Sequence, residues 1–424
     1  MGENVKSTPL IDWHRGHGAN MSVFGGYEMP LWYGTGAKTE HCSVLTAAGL
    51  FDTSHMAVIT LSGSDAFDLL QYCFTKDLTS CIGKNKGPLV PGRCVYGIFL
   101  DPEGCTIDDA IVYRLDETDY MIVVNAGMGV AITAHLSANR SGRSVIITDL
   151  TDQVGKVDIQ GPASGGIMKM VLENPGDVLR EMPYFSFKGR FDKKTASPDA
   201  PRMKDGRAFL LSRTGYTGEF GFELFMERDH LLDLWEMLLD AGMKQGMITC
   251  GLAARDSLRA GAVLPLSHQD IGAWPFARNP WLFALPHKED APGFTKDFIG
   301  AEALQNTGHA DHTYPFAGFD LRKVSVGDPA RVYDREGREI GTVLTCATDM
   351  GIDRVEGRIY SIASPEKPEG FSPRGLCCGF VKVNRRLDPE ERIHLRDKRR
   401  SIEVMIATDV RPDRTARRPL GEML

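Results

Sequence analysis

Apolar and polar residues alternate through "GRCVYGIFL" and again through "CTIDDAIVY", with Asp101-Pro102-Glu103-Gly104 between them. A period of two sends successive side chains to opposite faces of a strand, so the stretch predicts a β-hairpin. Asp first, Pro second and Gly fourth are turn-forming choices. A two- or four-residue loop pairs Leu100 with Cys105, Ile98 with Ile107 and Tyr96 with Asp109, and a three-residue loop shifts the pairing. Ile107, Asp109, Ile111 and Tyr113 then share one side of the second strand. Thr106, Asp108, Ala110, Val112 and Arg114 share the other. Asp109 stands among apolar neighbours, where a carboxylate is costly unless it is paired or working. An acid framed by Tyr96 and Tyr113 reads as the lining of a pocket, because a buried phenol needs a polar partner. Pairing with a turn or a structural arginine is the alternative.

The period changes to that of a helix in "HLLDLWEMLLDAG", where Leu231, Leu234, Trp235, Leu238 and Leu239 form one stripe and Gly242 reads as the stop. "LSGSDAFDLLQYCF" predicts a second helix after Ser64 as N-cap. "QVGKVDIQGPAS" reads as a strand ending in a Gly-Pro turn, and "SRTGYTGEFGFELFM" as a strand interrupted by glycines. Residues 267–295 are rich in Pro, Trp and Phe and read as loop. From about Thr313, short runs such as "GREIGTVLT" and "GLCCGFVKV" predict a compact β-barrel.

The 424 residues exceed one ordinary core, so two or three domains are expected. Hydrophobic residues make up 42% and charged residues 25%, the balance of a soluble globular chain. A net charge of −7 argues against nucleic acid as a partner. The longest apolar run, 120–132, is interrupted by Asn125 and glycines and is too short to span a bilayer, so no membrane role is expected. "MGENVKSTPL" holds no apolar signal region, and Lys6 stands where a myristoylation motif needs Ser or Thr. The nine cysteines form no CxxC pair, which predicts neither disulfides nor a metal site and fits a reducing cytoplasm. Adjacent Cys377 and Cys378 read as packed thiols. The basic run "RDKRR" (396–400) reads as a solvated strand edge, with contact to an acidic cofactor tail as the alternative. His55 reads as structural. "GGY" and "GYTG" match no nucleotide-binding pattern.

Eight segments occur in a telling order: "TPL", "GGYEMPLWY", "GLFDTSHM", "IDDAIVY", "VVNAG", "IQGPA", "SRTGYTGEFGFEL" and "GLAARDSLR". Together they make residues 8–260 resemble the T-protein of the glycine cleavage system, a tetrahydrofolate-dependent aminomethyltransferase. "KDFIGAEAL" (296–304) extends the resemblance. It implies an α+β fold, a three-domain cloverleaf with two mixed α/β sheet domains and a C-terminal β-barrel around a central folate channel. The implied division is 1–60 with 150–250 for folate binding, 61–149 with 251–305 for the catalytic aspartate, and 306–424 for the barrel. It further implies Asp109 as the catalytic carboxylate, Glu223 as the acceptor for the pterin edge, and Tyr216 nearby. Arg255 matches the arginine of the "AARD" motif, and Tyr96, Tyr113 and Asn125 match pocket-lining positions. By pattern alone, Glu223 is equally a solvated strand residue, and Arg255 equally the partner of Asp256.

The implied chemistry takes tetrahydrofolate as one-carbon acceptor. The donor would be a lipoylated carrier protein or a small molecule. After Arg259 the chain departs from the family. Where the family continues Leu-Glu-Ala-Gly and then places Tyr-Gly before "QD", this chain reads "RAGAVLPLSHQDI", with Gly261 for the glutamate and Ser267-His268 for Tyr-Gly. Three readings follow: aminomethyl transfer, demethylation of a small O-, N- or S-methyl compound, and non-catalytic folate binding. The retained Asp109, and the lack of the cysteine signature of the iron–sulfur-assembly relatives, count against the third.

Overall fold

The structure is a computed structural model that describes residues 5–192, 197–306, 308, 310–327 and 329–424. The first four residues of the N-terminal segment therefore lie outside the described residues. Two sheets, one barrel and a small N-terminal sheet organise the chain. The six-stranded sheet runs in the order 187–188, 210–212, 221–227, 154–160, 48–52 and 247–249. The five-stranded sheet runs 93–100, 106–114, 119–124, 57–62 and 146–149. Strands between 312 and 406 close into a six-stranded barrel. Each body has its own apolar core, represented by Trp235 and Phe222, by Ile59 and Val112, and by Val381 and Val404.

Helix Leu231–Gly242 buries Leu231, Leu234, Trp235 and Leu238 against the six-stranded sheet, while Leu232 faces out. Each such burial contributes about 1.5–3 kcal/mol. Gly242 is the last residue of the helix, and a short 3₁₀ turn, Met243–Gln245, follows it. The left-handed residue is Gly246, at φ +78°. A side chain at position 242 would collide with Met247, so Gly242 serves close packing instead. The helix after Ser64 runs Ala66–Cys73 with Asp65 at its N-cap, and the Asp65 carboxylate takes the Ser144 amide rather than capping.

The hairpin forms, but its pairing is shifted by two residues at Tyr96 and Ile98 and by one at Leu100. Ile98 pairs with Asp109, Tyr96 with Ile111 and Leu100 with Thr106, with a bulge between Phe99 and Leu100. The Thr106 amide bonds the Gly272 carbonyl instead of the neighbouring strand, so the loop at 272 draws the turn out of line.

Helix Leu252–Gly261 links the sheets to the barrel, and its Ala260 joins Ala317, Ala347 and Leu376 in one apolar cluster. Gly261, which stands where the family has glutamate, leaves the space that Asp349 of the barrel fills. Asp349 binds Arg411 at 2.6 Å and His41 at 2.8 Å. The carboxylate at this junction therefore comes from the barrel rather than from the helix.

Candidate active site

Strand Thr106–Arg114 carries two adjacent acids to opposite faces. Asp108, on the face shared with core residues Ala110 and Val112, is fully buried, and Asp109 is half-buried. The more apolar setting thus belongs to Asp108, the reverse of what alternation alone predicts. Asn125, just past strand Asp119–Val124, joins the pair. Its Nδ2 donates to Asp108 Oδ1 at 2.8 Å and to Asp109 Oδ1 at 2.6 Å, and its backbone amide donates to Asp108 Oδ2 at 2.9 Å. Tyr96 donates its hydroxyl to Asp109 Oδ2 at 2.9 Å, a diagonal contact permitted by the shifted register.

Burial and then the neighbouring Asp108 charge push Asp109 up to about 7, against the opposing pull of the Tyr96 and Asn125 hydrogen bonds. Burial likewise pushes Asp108 up to about 6. Two interacting carboxyls titrate as a unit. A carboxyl poised near neutrality exchanges a proton at working pH, which is what general acid–base chemistry requires.

Asp109 opens on a cavity of 190 Å³ also lined by Tyr96, Asn125, Tyr216, Glu223 and Arg255. Six of the seven residues expected at the site therefore meet there. Tyr113 does not. It is fully buried behind the wall between Phe187 and Phe225, where its hydroxyl meets Ser212 Oγ at 3.4 Å and the Thr214 side chain. Alternation puts Tyr113 on the correct face, but the six-stranded sheet packs over that end of the strand.

Glu223 and Arg255 rest on a buried ion network. Lys156 Nζ lies 2.5 Å from both Glu223 Oε1 and Asp158 Oδ1, and Arg255 Nη1 lies 2.8 Å from Asp158 Oδ2. Thr214 donates to the second Glu223 oxygen. Two cations thus balance two carboxylates. Burial opposes the charge on Asp158, yet Lys156 and Arg255 hold it below its ordinary range. Arg255 also lies over the Tyr216 ring, 4.8 Å from its centroid. Asp256, the sequence neighbour offered as its alternative partner, binds Arg259 at 2.7 Å instead. Lys156 and Asp158 were not singled out in the sequence. Their signal was there: two opposite charges two residues apart in a strand whose seven residues are all buried.

Met56, Asn125, Tyr216 and Arg255 also line a second cavity of 530 Å³, so the two spaces adjoin. His55 lines this larger space. Burial and then Arg255 lower it to about 3, so it is a neutral ring, and its Nδ1 has no hydrogen-bond partner among the described residues. A third space of 790 Å³ shares Asp256, Gln269 and Lys323 with the second and reaches Arg399 and Arg400. The basic run is thus an exposed turn between barrel strands that also borders this chain of cavities. Among the described residues no group of three or more His, Cys, Asp or Glu side chains is placed to hold a metal ion, and no helix is long and apolar enough to cross a membrane.

Residues 10–274 match the family described as GCVT N-terminal domain. The aminomethyltransferase of Bacillus subtilis is 32% identical to this chain over 345 residues, covering 80% of this chain and 86% of that protein. The aminomethyltransferase of Streptomyces coelicolor is 37% identical over 302 residues, covering 71% and 73%. Among solved structures, the glycine cleavage system aminomethyltransferase T from Bartonella henselae is similar with a TM-score of 0.73 and 25% identity, covering 95% of this chain and 97% of that one.

Proposed function

The chain belongs to the glycine cleavage T-protein family of tetrahydrofolate-dependent aminomethyltransferases, and on that premise we propose that Asp109 is its catalytic acid–base group. The observation that carries the reading is a carboxyl raised to about 7 on the wall of a cavity that also holds Glu223. The donor set fits a reduced pterin. Its guanidine-like edge presents N–H donors, and a carboxylate is their natural acceptor. Glu223 spends one contact per oxygen on Lys156 and Thr214, which leaves lone pairs free to face the cavity. Tyr96, Tyr216 and Phe283 supply aromatic walls.

Tetrahydrofolate supplies the nucleophilic nitrogen that accepts the one-carbon unit. As the carbon bonds to folate nitrogen, its bonds to the carrier thiol and to the amine break, the free thiol and ammonia leave, and Asp109 would offset the positive charge on the nitrogen and take up its proton. Its sheltered setting strengthens the interaction, because the effective dielectric there is low. Tyr96 and Asn125 hold the carboxylate in one orientation. Arg255 braces Asp158, and Asp158 with Glu223 holds Lys156 beneath the pterin site.

We take a lipoylated carrier protein as the donor of the aminomethyl group, in keeping with the family. The altered 260–285 region supports a second reading, a small methylated donor. The domain division 1–60 with 150–250, 61–149 with 251–305, and 306–424 belongs to the same proposal, supported by sheet membership except at strand Ala57–Ser62, which joins the five-stranded sheet across the 60/61 boundary. So does a cytoplasmic setting, supported by the nine free cysteines. The test is turnover with tetrahydrofolate, pairing the enzyme with aminomethylated carrier in one arm and a panel of methylated small molecules in the other. Turnover in the first arm is expected. Turnover in the second arm alone would replace the carrier by a small donor, and none in either would end the transferase reading.

A further inference from the structure

The segment that departs from the family pattern passes through two left-handed residues, Val263 at φ +59° and His268 at φ +64°. Counting on from Gly261, both take places where the family resemblance expects glycine. Side chains are disfavoured at such φ values, and β-branched ones most of all. The surroundings enforce the path. Trp281 Nε1 donates to the Val263 carbonyl at 2.9 Å, the Leu266 amide donates to Asp270 Oδ2 at 3.0 Å, and the Tyr216 hydroxyl donates to the Pro265 carbonyl. Leu264 and Pro265 line the cavity of Asp109, and Leu266 and Gln269 line the larger one. Enforced strain beside an active cavity is a pointer to function.

What the strained path delivers is one side chain. His268 Nε2 stands 3.7 Å from Asp108 Oδ1, with the imidazole half in solvent and the carboxylate wholly buried. Asn125 and the Ser267 side chain are the other polar contacts of Asp108, and Tyr96 and Tyr216 are the titratable groups facing Asp109. Among the described residues no lysine or arginine forms an ion pair with either acid, and His268 is the basic side chain that comes within 4 Å of Asp108.

We propose that His268 is a positioning residue for the acid pair: when protonated it sets a positive charge against Asp108, keeps the shared proton off that carboxyl, and leaves Asp109 as the group that exchanges it. This rests on the catalytic reading of Asp109. The solvent-facing imidazole connects the buried pair to bulk pH and salt. It acts through Asp108 and touches no reacting atom.

The test is the pH profile of kcat/KM for the wild type and for His268→Ala, His268→Gly and His268→Lys in the full chain. Without the cation the pair holds its proton more tightly, so the acid limb of the Ala and Gly variants is expected to move up by about 0.3–0.7 pH unit. Their deficit should grow as pH falls and shrink in high salt, where screening removes the wild-type advantage. A fixed cation in His268→Lys should bring the limb back to or below the wild-type position. His268→Gly, which relieves the strained φ, should melt higher than His268→Ala, so a folding defect cannot imitate the shift. Coincident limbs in wild type and His268→Ala, or equal loss at every pH, would overturn the proposal. Asp109→Asn measured in parallel separates the failures. If it is inactive while the His268 limbs coincide, only the His268 inference falls. If it stays active, the reading of Asp109 falls first.

Discussion

Two groups of carboxylates face one cavity and are treated oppositely. Asp158 and Glu223 lie against Lys156 and Arg255 at 2.5–2.8 Å, and Asp158 is held ionised. Asp108 and Asp109 receive hydrogen bonds from neutral donors only, and both are pushed up towards neutrality. The physical difference is charge balance at similar burial. A balanced network gives a fixed acceptor surface suited to binding, because Lys156 and Arg255 hold Asp158 ionised. An unbalanced pair gives a carboxyl that changes its protonation near neutrality, which suits chemistry. The contrast divides the site into a binding floor and a reactive wall.

The sharpest way to break this division is Asp109→Asn. It should lower kcat/KM by about 10²–10⁴-fold while leaving folate affinity within a few-fold, measured by turnover and calorimetry. Full activity would remove Asp109 from the chemistry. The same variant tests the electrostatics through stability. A carboxyl raised from 3.8 to about 7 in the folded state contributes stability that is present below about pH 4 and is lost as pH rises through about 7. Asp109→Asn should therefore gain about 1–3 kcal/mol relative to wild type at pH 8 and little at pH 4, read from urea unfolding at both values. For the same reason wild-type kcat/KM should rise with pH through about 7.

Next in size is Lys156→Met, which leaves Asp158 and Glu223 with Arg255 as their only nearby cation. A loss of about 3–5 kcal/mol is expected from urea unfolding, against the gain predicted for Asp109→Asn. A stable Lys156→Met protein would show that the floor is not held by charge balance. Glu223→Gln keeps the shape and removes the charge. It should weaken folate binding by about 10–100-fold with a smaller effect on the bound enzyme, and unchanged affinity by calorimetry would take Glu223 out of the pterin site. The smallest effects compare two phenols. Tyr96→Phe removes a donor that favours ionised Asp109, so the acid limb should move to higher pH. Tyr113→Phe, behind the wall, should leave the limb in place and cost stability of about 1 kcal/mol or less. Equal limb shifts would return Tyr113 to the pocket.

Much of this was legible in the residues. Alternation marked the hairpin and put Asp109 on a pocket face, the apolar stripe marked helix Leu231–Gly242, and the short strands after Thr313 marked the barrel. The ordered segments from "TPL" to "GLAARDSLR" carried the family. These are properties of neighbours in the chain, set by backbone periodicity and turn preference, and they survive without knowledge of the partner. The partners themselves were decided in three dimensions. A carbonyl at Gly272 moved the hairpin register, and the packing of a second sheet removed Tyr113 from the cavity. Lys156 found Glu223 across 67 positions and Arg255 found Asp158 across 97. Buried charges are neutralised by whatever the fold brings within a few ångströms, so the protonation of Asp109 depends on long-range contacts that no local pattern encodes.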